Sequence, residues 1–256
     1  MTPSDKADAL RARKETGPAI AALTAYDYPT ARLLDEAGTD LLLVGDSLGM
    51  VVLGFADTTA VTMAHMVHHT AAAARGNQKA LLVADLPIHS YDTIPQALEN
   101  ARMLVAAGAE AVKLEGGRRQ VEKVEALRAE GIEVLGHLGM LPQRVRGEGG
   151  YRPKGRTPDE IAWLEDGASA LQEAGCFGVV LESVLPEIAT RITSLLSIPT
   201  IGIGCGQGTC NGEIAVVTDV IGSYPWFVPP FATPRAEVAA QTTRAVAAYL
   251  QAVRSS

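Results

Sequence analysis

Five apolar runs of this chain end on ionisable side chains: VGDS on Asp46 and Ser47, VADLP on Asp85, VKLEGG on Lys113 and Glu115, LGHLG on His137, and VVLES on Glu182. Any one of these could be a turn or a helix cap, since Asp and Ser commonly end strands in that way. Capping accounts for neither a lysine and a glutamate two residues apart nor a histidine after an apolar run. With period-two spacing, Lys113 and Glu115 point to the same side of a strand. Two or three carboxylates from neighbouring strands make a hard oxygen site suited to Mg²⁺, which keeps waters and leaves room for substrate oxygens. A lysine beside them pairs with a substrate carboxylate, and a remaining glutamate can move a proton. The set favours chemistry through an enolate: a 2-oxo acid chelates the metal, the neighbouring C–H becomes more acidic, and a base removes it.

Groups so far apart in sequence converge only if the elements carrying them share one rim. Apolar runs rich in Val, Ile and Leu start near Ala19, Asp40, Ala80, Ala111, Glu133, Gly178, Pro199 and Ala215. Helical periodicity lies between them, over 62–75, 94–107, 120–130, 158–174 and 186–196, and again over 234–253. Pro158 and Pro186 suit first helical turns, and Gly108, Gly131 and Gly175 suit helix ends. Eight strand-helix units in 256 residues predict a (βα)8 TIM barrel, with a doubly wound open sheet as the alternative. No linker or composition shift divides the chain, so one domain over 1–256 is expected, with a short polar segment at 1–18. The longest irregular stretches, 48–61 and 138–157, follow strands, where a barrel keeps its functional loops.

Composition narrows the classes. The formal charge is −7 without a basic run, which argues against nucleic acid as a partner. The polar, mixed-charge start MTPSDKADALRARKETG lacks an apolar signal region, and no apolar segment reaches about 18 residues. A cytoplasmic protein with no membrane partner is therefore expected. Cys176, Cys205 and Cys210 contain no CxxC spacing and read as reduced thiols. His65 and His69 share a helix face but lack the glutamate of HExxH, and GIGCGQG at 202–208 lacks dinucleotide spacing. Trp226 and Phe227 suit a substrate lid, a subunit contact or a core plug.

The motifs TAYDY, VGDSLGM, VTMAHMVHHT, ADLP, VKLEGG, GHLGMLPQ, GGYRPKGR, VLES, GIGCG and PPF, in this order from Thr24 to Phe231, closely resemble the ketopantoate hydroxymethyltransferase family. The resemblance implies a metal-dependent barrel of the phosphoenolpyruvate/pyruvate superfamily type. Such an enzyme transfers the one-carbon unit of 5,10-methylenetetrahydrofolate to 3-methyl-2-oxobutanoate, giving 2-dehydropantoate for pantothenate biosynthesis. It further implies Asp46 and Asp85 as Mg²⁺ ligands, with Glu115 binding directly or through water. Ser47 and Lys113, with the metal-binding Asp46 and Asp85, would bind the oxo acid. Glu182 would be the catalytic proton acceptor, and His137 and Tyr26 would support the pocket. A homo-oligomer, by resemblance a homodecamer, is expected. The chain departs from the family pattern after GIG, where Cys205 and a spacer lead to Asn211-Gly212 in place of Asp-Gly, on a loop expected at the active rim. A carbon–carbon lyase acting on another 2-oxo acid and a non-catalytic metabolite-binding barrel are the rival readings.

Overall fold

Alternate residues of a strand face the same way, and in a computed structural model, which describes residues 1–147 and 150–255, the inward ones meet along one axis. Eight parallel strands close a barrel in sequential order. The chain divides into two compact units, residues 1–214 and residues 215–256. In the first, α1 (Pro3–Ala12) precedes β1 (Ile20–Thr24), α2 (Tyr28–Glu36), β2 (Leu41–Val44), the single turn α3 (Leu48–Val51), α4 (Met63–Gly76) and β3 (Leu81–Asp85). Then come α5 (Ile94–Ala106), β4 (Ala111–Glu115), α6 (Val121–Ala129), β5 (Glu133–Gly139), α7 (Pro158–Glu173), β6 (Gly178–Glu182), α8 (Pro186–Leu195), β7 (Thr200–Ile203) and β8 (Gly212–Ala215). Glu148 and Gly149, hence the start of the GGYRPKGR motif and part of the stretch 138–157, lie outside the described residues.

Local chemistry sets the helix ends. Asp27, Thr62, Thr93 and Thr157 each accept a backbone N–H of the following first turn, and prolines occupy the starts of α2, α5, α7 and α8. Gly108, Gly131 and Gly175 stop helices at φ of 108°, 77° and 100°. His65 serves the cap of α4, its Nδ1 accepting the Thr62 N–H.

Three elements differ from the sequence-based expectation. The polar segment 1–18 contains α1, started by a reciprocal Thr2–Asp5 capping box. Its Ala7 and Leu10 join Ile20, Leu41, Leu81 and Phe177 in the barrel core, while the buried Lys6 ammonium bonds Glu110 and Ala80 O. The eighth strand is GEIA, not the following AVVTDVIG. In that run Val217–Ile221 is helical, a short apolar stretch being ambiguous between the two. Gly212 fits the strand because a Cβ there would lie 2.5 Å from Ile20 O. Finally, the β7–β8 connection, residues 204–211, is too short for the helix expected after each strand, and left-handed Gly204, Gly206 and Gly208 turn it back.

In the second unit, α9 (Val217–Ile221) and α10 (Val238–Arg254) are joined through residues 222–237. The latter starts four residues later than the Pro234 expected from the pattern, because Arg235 N–H is engaged by Val220 O and Ala236 O abuts Gly222. Trp226 and Phe227 are exposed, which rules out the core plug. Among the described residues no helix is long and apolar enough to cross a membrane.

Truncating Leu10, which is 5% exposed, tests α1 as part of the core. Leu10→Ala is expected to cost about 2–4 kcal/mol, read as a lower urea midpoint at unchanged slope. An unchanged midpoint would make α1 a surface appendage.

Candidate active site at the C-terminal rim

Each ionisable group stands two residues beyond a core side chain on the same strand. Val83 leads to Asp85, Ala111 to Lys113 and then Glu115, Leu135 to His137, and Val180 to Glu182. The period of two therefore aims all five inward, and strand register sets them side by side: Asp85 is paired with Lys113, and Glu115 with His137. Glu182 is paired with Gly139, whose φ of 100° and lack of Cβ let the Glu182 carbonyl approach where a side-chain carbon would stand 2.1 Å away.

The contacts form one network. Lys113 Nζ lies 2.5 Å from Asp85 Oδ1, and Asp85 Oδ2 accepts the Asp46 N–H at 3.0 Å. His137 stands between two glutamates, its Nδ1 3.5 Å from Glu115 Oε1 and its Nε2 3.2 Å from Glu182 Oε2. Ser47 begins α3 but makes no side-chain cap bond; its Oγ lies 2.9 Å from Tyr26 OH. Tyr26 is in turn held by its carbonyl, 2.7 Å from His69 Nδ1. Of the two residues that looked most like an ordinary cap, Ser47 thus turns its side chain to Tyr26, and Asp46 offers its own to Gln143.

Gln143 was assigned no role by the sequence, although it lies in the GHLGMLPQ motif. Its Nε2 donates to Asp46 Oδ2 at 2.8 Å and to Leu86 O at 3.0 Å, and its backbone N–H donates to Glu115 Oε2 at 3.2 Å. The Tyr91 hydroxyl donates to its Oε1. The only signal available was a polar residue at the start of a turn, Pro142–Arg144, after a strand on the functional rim. Asn211 differs from its expected place. Its side-chain oxygen accepts Thr200 N–H at the start of β7 and its carbonyl accepts Ile20 N–H at the start of β1. The loop leaves the rim at Gly204, but the altered Asn211 lies at the opposite end of the barrel, so the missing carboxylate does not deplete the rim.

Electrostatics follow from this burial. Burial and then the charges of Asp85 and Glu115 push the Asp46 carboxyl well up. Burial alone would lower Lys113, but Asp85, Glu115 and Asp46 outweigh it and hold the ammonium charged. For His137, burial and Lys113 act to lower the value, and the two glutamates overcome them, raising it to about 9.

Four carboxylates against Lys113 and His137 leave two negative charges if every acid is ionised, which matches a divalent cation. Asp85 Oδ1 and Glu115 Oε1 are buried without a well-directed hydrogen bond, so acceptor capacity is in hand. Among the described residues no three His, Cys, Asp or Glu side chains close a ready cage. The buried carboxylate oxygens of Asp85 and Glu115 are hard donors of the kind Mg²⁺ takes.

The raised His137 value gives a signed pH dependence. In metal-free protein its contribution to stability is fully present below the unfolded value near 6.5 and is lost as pH rises through about 9. Imidazole NMR is expected to place its midpoint near pH 9, and His137→Gln is expected to abolish the stability change between those limits. A midpoint near 6.5 would refute the two-glutamate environment.

Comparisons with known proteins show the family and the fold. A sequence model described as ketopantoate hydroxymethyltransferase matches residues 5–256. The 3-methyl-2-oxobutanoate hydroxymethyltransferase of Ignicoccus hospitalis is 50% identical over 242 residues, covering 94% of this chain and 91% of the relative. That of Caldivirga maquilingensis is 51% identical over 240 residues, covering 93% and 89%. Among solved structures, phosphoenolpyruvate phosphomutase from Streptomyces platensis has a TM-score of 0.61 at 16% identity, covering 82% of this chain and 80% of its own. A phosphonopyruvate hydrolase in complex with oxalate and Mg²⁺ has 0.63 at 17%, covering 84% and 81%. These likenesses show the fold alone, a closed barrel of parallel strands. With the family match spanning nearly the whole sequence, the chain belongs to the ketopantoate hydroxymethyltransferase family.

Proposed function

We infer that this protein is a 3-methyl-2-oxobutanoate hydroxymethyltransferase. It adds the one-carbon unit of 5,10-methylenetetrahydrofolate to C3 of 3-methyl-2-oxobutanoate, giving 2-dehydropantoate, a step of pantothenate synthesis. The observation that carries the reading is the coexistence, on one rim of a family member, of a carboxylate pair and a separate carboxylate on His137. The first suits a cation and the second suits proton transfer. Asp46 and Asp85 would hold Mg²⁺, with Glu115 binding directly or through water. When bound, the metal would polarise the 2-oxo group and balance the charge that develops there.

The remaining work falls to the chain's own groups. Lys113 and Ser47, the latter oriented by Tyr26 OH, bind and orient the oxo acid. Glu182 accepts the C3 proton. The imidazolium of His137, against the Glu182 carboxylate, can share the proton once it is taken, while Glu115 fixes the ring from the other side. The carbon nucleophile that results attacks the methylene carbon of the folate; water supplies the hydroxyl oxygen as the carbon–nitrogen bonds break, and tetrahydrofolate departs with one proton from water and the one taken from C3. A cytoplasmic homo-oligomer, decameric as the family resemblance implies, completes the reading.

Exchange of the C3 hydrogen with D₂O, followed by proton NMR with Mg²⁺ present and folate absent, separates proton abstraction from group transfer. Wild-type protein is expected to exchange it, Asp85→Ala to lose exchange, and Glu182→Gln to slow it by about 10²–10⁴-fold. If wild-type protein with Mg²⁺ neither exchanges that hydrogen nor makes 2-dehydropantoate, the assignment fails.

A further inference from the structure

Cys205 and Cys210 lie in the helix-less connection between β7 and β8, and no step of the hydroxymethyl transfer uses them. Gly202 brings them together. A Cβ built on it would stand 3.1 Å from Cys210 Sγ and 3.6 Å from Cys205 Cβ, so both cysteines occupy space that any side chain on β7 would fill. The left-handed glycines fold the loop back over this point. A disulfide requires close β-carbons, and those of both cysteines lie within 3.6 Å of the one point where a side chain on Gly202 would begin.

The two sulfurs have different surroundings. Cys210 is partly exposed beside the exposed turn Gly206–Gly208, and the Thr209 hydroxyl donates to its sulfur at 3.7 Å. The Cys205 thiol, then the hydroxyls of Thr209, Thr200 and Thr193, outweigh burial and lower Cys210 to about 6, a thiolate at neutral pH. Cys205 is buried and donates to Leu181 O at 3.0 Å. The neighbouring Cys210 sulfur, followed by burial, pushes its own value up. A partly exposed thiolate against a buried thiol is the arrangement of a nucleophile and its resolving partner.

We propose that Cys210 and Cys205 form a thiol–disulfide exchange site whose co-reactant is a low-molecular-weight disulfide. Cys210 thiolate attacks one sulfur of that disulfide; the external S–S bond breaks and the first thiolate leaves, to be protonated by solvent. Cys205 then loses its proton to solvent and attacks Cys210 Sγ, expelling the second thiolate. Two protein thiols are oxidised and one external disulfide is reduced to two thiols. Capping Cys210 removes the charge that held the Cys205 proton, so the first step prepares the second. In the linked state Cys205 gives up its bond to Leu181 O, the carbonyl immediately before Glu182, so oxidation reaches the rim.

Wild-type protein treated with glutathione disulfide near neutral pH, alkylated and mapped by mass spectrometry, tests this directly. It is expected to lose two hydrogens and yield a Cys205–Cys210 linked peptide, reversed by dithiothreitol. Cys176, buried and pushed up to about 12, is expected to react on the order of tenfold more slowly than Cys210. In Cys205→Ser the glutathione is expected to remain on Cys210. No reaction at Cys210, equal adducts on Cys176 and Cys210, or a persistent Cys210 adduct without linkage in wild-type protein would each overturn the proposal. The wild-type map needs no variant, so poor folding of Cys205→Ser leaves the test intact.

Discussion

Asp46, Asp85 and Glu115 are each at most 4% exposed and share one network at the rim. Two like charges about 4 Å apart repel by about 4 kcal/mol at an effective dielectric of 20, and burial adds a desolvation cost. Lys113 against Asp85, the Asp46 N–H, and the side-chain and backbone N–H groups of Gln143 offset this. They do not cancel it, because the Asp46 carboxyl remains pushed well up. That residual cost of burial and repulsion is what a bound cation, as proposed, would relieve. A set of carboxylates fully satisfied by protein donors would gain little from an ion, and one without donors would tend to protonate instead.

The barrel supplies this arrangement through strand register. Inward side chains of a parallel strand run from α1 at one end to the rim at the other, so a residue two beyond the last apolar one emerges from the core on the axis side. Five such positions on β3 to β6 bring Asp85, Lys113, Glu115, His137 and Glu182 together without any long loop having to hold them. The loops add the adjustable donors: Gln143 after β5, and Ser47 after β2. Rigid strands carry the charges and short turns carry the hydrogen bonds, which suits a site whose charges repel when displaced.

Much of this was legible because charge at the end of an apolar run is unusual, and because Lys113 and Glu115 share a strand face by spacing alone. Capping was a fair reading of Asp46-Ser47, and only the coordinates show Gln143 Nε2 and Tyr26 OH claiming those side chains. Gln143 itself was hidden: a glutamine after Leu-Pro carries no periodicity, and its partners Asp46, Leu86, Tyr91 and Glu115 come from three other strand ends. The helix α1 was hidden because only Ala7 and Leu10 are apolar enough to mark a buried face, and its buried Lys6 is disguised by charge. At β8, a four-residue strand starting with glycine carries a weaker signal than the apolar run that follows it.

Exposure separates the carboxylates by the work each can do in the proposed reaction. Asp85 is sealed against Lys113, and Glu115 is held by Gln143 N–H and His137, so neither can turn toward a substrate without breaking a buried charge interaction. Breaking such a pair costs about 3–5 kcal/mol, which would offset most of what a positioned proton acceptor contributes. Glu182 is different: its side chain is 17% exposed, and it faces the imidazole of His137. It can accept a proton while Glu115 holds the imidazole ring in place. The same ring that restrains Glu182 also links it to the cation side of the network, through Glu115 and Lys113. A change of charge at either end is therefore felt at the other across two residues, Glu115 and His137, that are themselves too buried to move.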